Sequence, residues 1–555
     1  MGSRSSSTLY ALTKKNTEAT SQSSVSRIAT ANAPPLQKPG IAHSEYTQSS
    51  YQNQSSIETQ TRTARLIHLQ NLLKLPELDP SKPVSIWRAL GIVLGRAVNS
   101  ALLVASGLAI SSGGPGGALV AHAIAILVVY FVMTSLMEVV SAMPSDMPVY
   151  MYGVHLLGQP VGVALAWSHW LSWIVIIVYE ISASGLIMEF WLPHVNRAIW
   201  CSIFFALCIV IVVVGKRPCI FITRHAVLLF TLCTIIAAII LGAVVAAGGI
   251  GGHVYGLENW HKKDPPPFLG GIIGIIGASA FAIFSVQGTE HVVPKVVRAE
   301  ARLGPLVPVV MCCCLALIFI PSVFVTGLLL PSDSEWFKNV TTGDNASENT
   351  FAYIFETAGA KPAAHVINAV LLVSAMLDCC ACLCYSADML QDLAGRGLAP
   401  KLLAARCDEQ GSATAGLKAL LNYSLIATCL VSLGIWIPTA FYTTKALAIL
   451  AGLIGIGGFI TWGSIAAMHC VVRWSKKHRN GELAPPNKRF RALLFPVGPL
   501  VCLLYAGGVI SGLIYISYLL GLDVNIFLFT TVQLYLFILL VLIAALLQRF
   551  GYCCC

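Results

Sequence analysis

Long apolar runs separated by short polar stretches recur along the chain, near 86–110, 118–140, 162–187, 198–215, 226–247, 270–293, 305–330, 362–386, 417–437, 444–472, 499–520 and 525–548. Each reaches the ~20 residues that a helix needs to cross a hydrocarbon core. The pattern predicts an all-α integral membrane protein with about twelve transmembrane helices. Residues 1–60, in contrast, are Ser-rich and nearly free of apolar clusters, the composition of a disordered cytosolic tail. The stretch ARLIHLQNLLKLPELDPSKP has spacing for a short amphipathic helix along the membrane, until Pro76 and Pro83 interrupt it. The expected division is therefore a tail at 1–85, a transmembrane domain at 86–548 and a short Cys-rich tail at 549–555.

One run changes character within its own length. Gly270–Pro294 reads GGIIGIIGASAFAIFSVQGTEHVVP, apolar at first and then polar at Ser285, Gln287, Gly288, Thr289 and Glu290. An ionisable residue at membrane depth is costly and marks a functional site by default. The glycine beside it lets the backbone leave helical geometry, which at that depth is tolerated only where the chain lines a cavity or is buried in protein. Helix, break and carboxylate together predict the interrupted helix of a transporter.

Composition narrows the class. With 56% hydrophobic and 11% charged residues, the chain falls far below the ~25% charged share of a soluble enzyme. A net charge of +10 raises nucleic acid as a partner, but the cations sit in alternate loops: Lys216, Arg217 and Arg224; Lys295, Arg298 and Arg302; Arg396, Lys401 and Arg406; Arg473 to Arg491. This is positive-inside charge next to a lipid bilayer, and it predicts both termini in the cytosol with no nucleic-acid partner. The sequons at Asn339 and Asn345 fall on the predicted outer side and are the candidate glycosylation sites. Most of the 18 cysteines lie inside apolar runs, where a thiol acts as a small hydrophobe rather than a disulfide partner. The three that end the chain are juxtamembrane lipidation candidates.

Three further carboxylates lie in or near the second and third runs. Glu138 closes a helix in SLMEVVSAMP, where solvation at the interface competes with a functional role; Glu180 sits deeper, in IVIIVYEISASGLI; Glu189 lies close to the outer surface. Trp167, Trp170 and Trp173 share a helical face and read as interfacial anchors. Asp378 stands among four cysteines of the eighth run without a histidine spaced to complete a metal site. The first run contains Arg96, Asn99 and Ser100 among recurrent glycines. Two readings of it stand level: small-residue packing with Arg96 snorkelling to the cytosolic face, or a second interrupted helix whose N–H groups receive an anion.

Several blocks together resemble the fungal amino acid permeases of the amino acid–polyamine–organocation superfamily. They are ASGLAISSGGPGG, SLMEVVSAMP, SHWLSWIVIIVYEISASGLIMEFW, NWHKKDPPPF, FSVQGTE, HVINAVLLVSA, GRGLAPKL, GFITWGSIAAMH and KRFRALLFPVGP, in the family's order from about residue 86 to the end. The resemblance implies ten core helices in two inverted five-helix repeats, followed by two more. It also implies proton-coupled uptake of amino acids across the plasma membrane by alternating access, with the proton gradient as driving force and no cofactor.

The same resemblance implies a site. The cargo carboxylate meets backbone N–H groups at a break in the first helix, which by position falls at Ala97, Val98, Asn99, Ser100 and Ala101. The ammonium meets freed carbonyls at a break in the sixth, at Phe284, Ser285, Val286, Gln287 and Gly288. Glu290, Glu180 and Glu138 are the candidate proton-coupling groups. Three departures accompany these matches: GRAVNSA replaces a glycine-rich first-helix segment, VVRAEARLGP replaces acidic elements after the sixth helix, and Asp388 stands where the family usually has arginine. Two rival functions follow, a transport-poor amino acid sensor and a permease for polyamines or choline-like cations. No catalytic triad, phosphate loop or metal motif supports an enzyme.

Overall fold

The structure, a computed structural model, describes residues 101–143, 147–214, 217–291, 293–294, 305–334, 350–404, 422–441, 443–474, 490–519 and 524–550. All of them belong to the unit Leu73–Cys555. The predicted N-terminal tail, the first-helix positions Ala97, Val98, Asn99 and Ser100, the sequons at Asn339 and Asn345 and the terminal cysteines lie outside the described residues.

Among the described residues the chain is helical, without strands. In chain order the helices are α1 (Ala101–Ala142), α2 (Val149–Leu157), α3 (Gln159–Met188), α4 (Arg197–Val214), α5 (Arg217–Ala246), α6 (Glu258–His261) and α7 (Gly271–Val286). After a 3-10 turn at Thr289–His291 come α8 (Leu306–Leu329), α9 (Thr350–Thr357), α10 (Lys361–Gly395), α11 (Tyr423–Phe441), α12 (Thr443–Trp474), α13 (Val497–Leu519) and α14 (Val524–Arg549). Among the described residues ten helices are long and apolar enough to cross a membrane. The chain is thus an all-α, multi-spanning membrane protein. α1 carries the end of the first predicted run together with the second, and α11 carries the ninth.

α1 changes course at Gly114, whose φ of 73° and ψ of 173° belong to glycine alone, and Pro115 follows. The turn is pinned from outside. Gly116 N–H donates to the Pro267 carbonyl at 2.8 Å, and Leu269 N–H donates to the Gly113 carbonyl at 3.0 Å. The proline run ahead of α7 is therefore clamped backbone to backbone on the α1 turn. A Cβ at Gly114 would lie 2.5 Å from Pro267 O. Gly114→Ala is expected to cost roughly 1–3 kcal/mol from backbone strain alone, before that clash is counted. A melting curve in detergent checks this, and an unchanged midpoint contradicts the tight pairing.

Packing follows from where apolar residues are continuous. α1, α7, α8, α12 and α13 share the largest core, with Ile283, Phe319 and Trp462 almost fully buried in it. A second core joins α3, α4, α10 and α11, and a third joins α3, α7 and α12. α3, α7, α10 and α12 thus surround the same interior space. On α4 and α14 the large side chains Ile203, Val210, Leu539 and Leu542 point outward, as helices bathed in lipid allow.

Candidate functional site

α7 is a helix because its sixteen residues, GIIGIIGASAFAIFSV, are small or apolar and contain no proline. It ends at Val286. Gln287 is extended, at φ −65° and ψ 150°, and Gly288 has φ 88°. The last-turn carbonyls of α7, from Ile283 to Val286, therefore have no intrahelical donor ahead of them and form the negative pole of the helix. The Gln287 amide fastens the break to α12. Its nitrogen faces the Ile454 carbonyl at 2.5 Å and its oxygen accepts from Gly458 N–H at 3.2 Å. The break sits at the C-terminal edge of the predicted segment, since Phe284, Ser285 and Val286 remain helical.

Glu290 folds back on this break. It is 1% exposed, and its Oε2 accepts from Gly288 N–H at 3.0 Å and from Trp462 Nε1 at 3.3 Å. The His291 Nε2 lies 3.8 Å from its other oxygen.

Two cavities meet here. A chamber of about 70 Å³ is walled by Glu180 and Ile176 of α3, Phe284, Gln287, Gly288 and Glu290 at the break, Asp378 and Cys382 of α10, and Ile454 of α12. A vestibule of about 410 Å³ is walled by Tyr150, Asp388, Asp392, Arg396, Pro294 and Thr461 among others. His169, Trp173 and His291 line both. They form the neck between the two spaces. His169 Nε2 and His291 Nε2 are 3.1 Å apart. The Trp173 ring lies 5.4 Å from His291 and 5.5 Å from Tyr385, tilted by 31° and 32°. At the far end of the vestibule Arg396 Nε donates to Asp392 at 3.0 Å, and the Tyr150 hydroxyl donates to the same carboxylate. Burial and the Asp392 charge push the Tyr150 phenol well above its ordinary range, so it remains a donor at any physiological pH.

Glu138 belongs to a different place. It is 3% exposed, so the solvated reading of this carboxylate does not hold. Its Oε2 receives His469 Nε2, Arg473 Nη2 and the Ala492 N–H, each at 2.9 Å, and Arg473 Nε meets its other oxygen. His469 reaches Ser135 with its second nitrogen at 2.9 Å. The Arg473 guanidinium lies 5.0 Å from the Phe495 ring centre. The cluster ties the end of α1 to the end of α12 and to the segment entering α13.

Of the predicted site residues, Phe284, Gln287, Gly288, Glu290 and Glu180 come together on the chamber wall. Ser285 and Val286 are buried beside it, with the Ser285 hydroxyl donating to Ala282 O at 2.7 Å. Ala101 begins α1. Glu189 is held in a two-pronged pair by Arg197, at 2.7 and 2.6 Å. Trp170 and Trp173 are buried rather than interfacial, because α3 turns that face inward. Among the described residues no group of His, Cys, Asp and Glu is arranged to hold a metal ion.

His169, His291 and Tyr385 were not singled out by the sequence patterns above, although a signal exists. His169, Trp173, Ile176 and Glu180 are spaced i, i+4, i+7 and i+11, one stripe of α3. Asp378, Cys382, Tyr385, Met389, Asp392 and Arg396 form the matching stripe of α10.

Residues 85–551 match the family described as amino acid permease. The lysine-specific permease LysP of Escherichia coli is 29% identical over 74% of this chain and 81% of its own length. The histidine permease HisP of Lactococcus lactis is 28% identical over 75% and 85%. The amino-acid permease GAP6 of Candida albicans is 27% identical over 78% and 72%. The similarity is therefore bacterial as much as fungal.

Proposed function

We propose how this chain works from one premise: it belongs to the amino acid permease family. By family and fold it is a membrane permease for amino acids and not an enzyme. Our finer reading is uptake across the plasma membrane by alternating access, driven by protons, with both termini in the cytosol. Twelve spans, ten of them in two inverted repeats of five, are the architecture we propose for it.

The observation that carries this reading is the broken α7 with carboxylates around the chamber. The cargo ammonium would sit against the last-turn carbonyls of α7, where the helix dipole is negative. Its carboxylate would meet the first-helix segment at Ala97, Asn99, Ser100 and Ala101, the opposite pole. Glu290 and Glu180 would take up and release the coupled proton. The vestibule leads toward Arg396, at the end carrying the basic loops, which supports a cytosol-facing state.

Radiolabelled amino acids supplied to a permease-deficient host test this reading. Saturable uptake that increases with external acidity is the expected result. Saturable binding without accumulation would instead identify a sensor. A second reading concerns the cargo. Glu180, Glu290 and Asp378 all line the chamber, and no Lys or Arg is among its described lining. Together with relatives named for lysine and histidine, this favours a cationic side chain, and it keeps polyamines and choline-like cations in the competition panel. Unlabelled lysine, arginine and histidine are expected to compete better than leucine or glutamate.

A further inference from the structure

We propose that His169 and His291 form a proton-operated gate between chamber and vestibule, which opens when both imidazoles are protonated. The proposal rests on the proton-coupled transport argued above and names the residues that would link proton to cargo. His169 comes from α3 and His291 from the 3-10 turn after the α7 break, and both line the two cavities. Their Nε2 atoms, 3.1 Å apart, are at hydrogen-bond distance. One nitrogen must then donate while the other accepts through its lone pair. A neutral pair meets this condition. A pair holding one extra proton meets it better, because a charged donor strengthens the bond. A pair holding two cannot meet it, since an imidazolium has no lone pair to offer and two cations face each other.

The surroundings make the second proton consequential. The Glu290 carboxyl is 3.8 Å from the His291 Nε2, one contact away. When the pair already holds one extra proton and Glu290 gives up its own, Glu290 becomes a carboxylate and the pair, now holding two, changes from bonded to repelling. The titratable and charged groups that line the two cavities with the pair are Glu290 on its own segment, Glu180 from α3, Asp378, Cys382, Tyr385, Asp388 and Asp392 from α10 with Arg396 at its C-terminal cap, and Tyr150 from α2 across the vestibule. α12 presents Thr461 there, which does not titrate. The wall can also move: His291 lies three residues beyond Gly288, whose positive φ marks a swivel in the chain. Rotation about that point would lift His291 off Trp173 and His169 and join the two cavities. Release of cargo and proton to the vestibule returns the pair to its bonded state.

The test reads the opening of the neck through Cys382, which lines the chamber and not the vestibule. Full-length protein in liposomes is treated with a small polar alkylating reagent between neutral and mildly acidic pH, the range in which imidazole titrates. Cys382 labelling is read by mass spectrometry and normalised to free cysteine in the same buffer. A severalfold rise of the normalised rate on acidification is expected for the wild type, and a flat profile for His291→Gln and for His169→Gln. A wild-type rate that does not rise overturns the gate without help from any variant. Variants that rise as the wild type does overturn it too. Because this readout needs no accumulation, a chain that fails to concentrate amino acids yet shows the acid-dependent labelling would sink the coupling and leave the gate standing.

Discussion

Glu290→Gln is expected to abolish accumulation of amino acid against its gradient while exchange of labelled for unlabelled cargo continues. The reason is local. The Oε2 of Glu290 accepts from Gly288 N–H and Trp462 Nε1, and a glutamine oxygen accepts from the same two donors. The break after α7 is thus retained, and what is lost is the ability to take up and release a proton. Exchange needs only the cargo to return through the cycle, whereas concentration needs the proton to travel with it. Parallel measurement of counterflow and of pH-driven uptake separates the two. A glutamine variant that still concentrates cargo removes Glu290 from proton coupling.

Glu138→Ala is expected to have the largest effect on stability. The substitution leaves Arg473 and the buried His469 without the carboxylate that both address. Removing one partner of a buried ion pair costs about 3–5 kcal/mol. Such a loss approaches the whole margin of the least stable domains, about 5 kcal/mol. Arg473→Ala should cost less, since His469 and the Ala492 N–H still reach Glu138. Fluorescence-monitored melting of the purified variants checks the order. Equal melting midpoints for Glu138→Ala and the wild type contradict the assignment of this cluster as a structural tie.

The helices were legible because lipid imposes length and apolarity on every crossing segment. The break near Gly288 was legible because a polar cluster and a glycine interrupt an apolar run. What the sequence left unresolved was which carboxylates share a space. Glu138 and Glu180 look alike along the chain, yet one is bound into a cluster at the end of α1 and the other faces the chamber. That distinction depends on His469, Arg473 and Ala492, all more than three hundred residues away. The His169–His291 contact is hidden for the same reason, because it joins residues separated by 122 positions. Trp173 belongs to two helical faces by spacing, and only packing against His291 and Tyr385 decides which one matters. Asp388, in place of an expected arginine, proves to line the vestibule, so this departure alters the charge of the passage rather than of the core.

Proton-driven accumulation by the purified chain is the central claim. The most direct measurement is uptake of a labelled amino acid into liposomes containing only this protein, with the outside made acidic relative to the inside. Accumulation beyond equilibrium that collapses on adding a protonophore is predicted. Uptake that only equilibrates, and does so equally with and without the gradient, would contradict it.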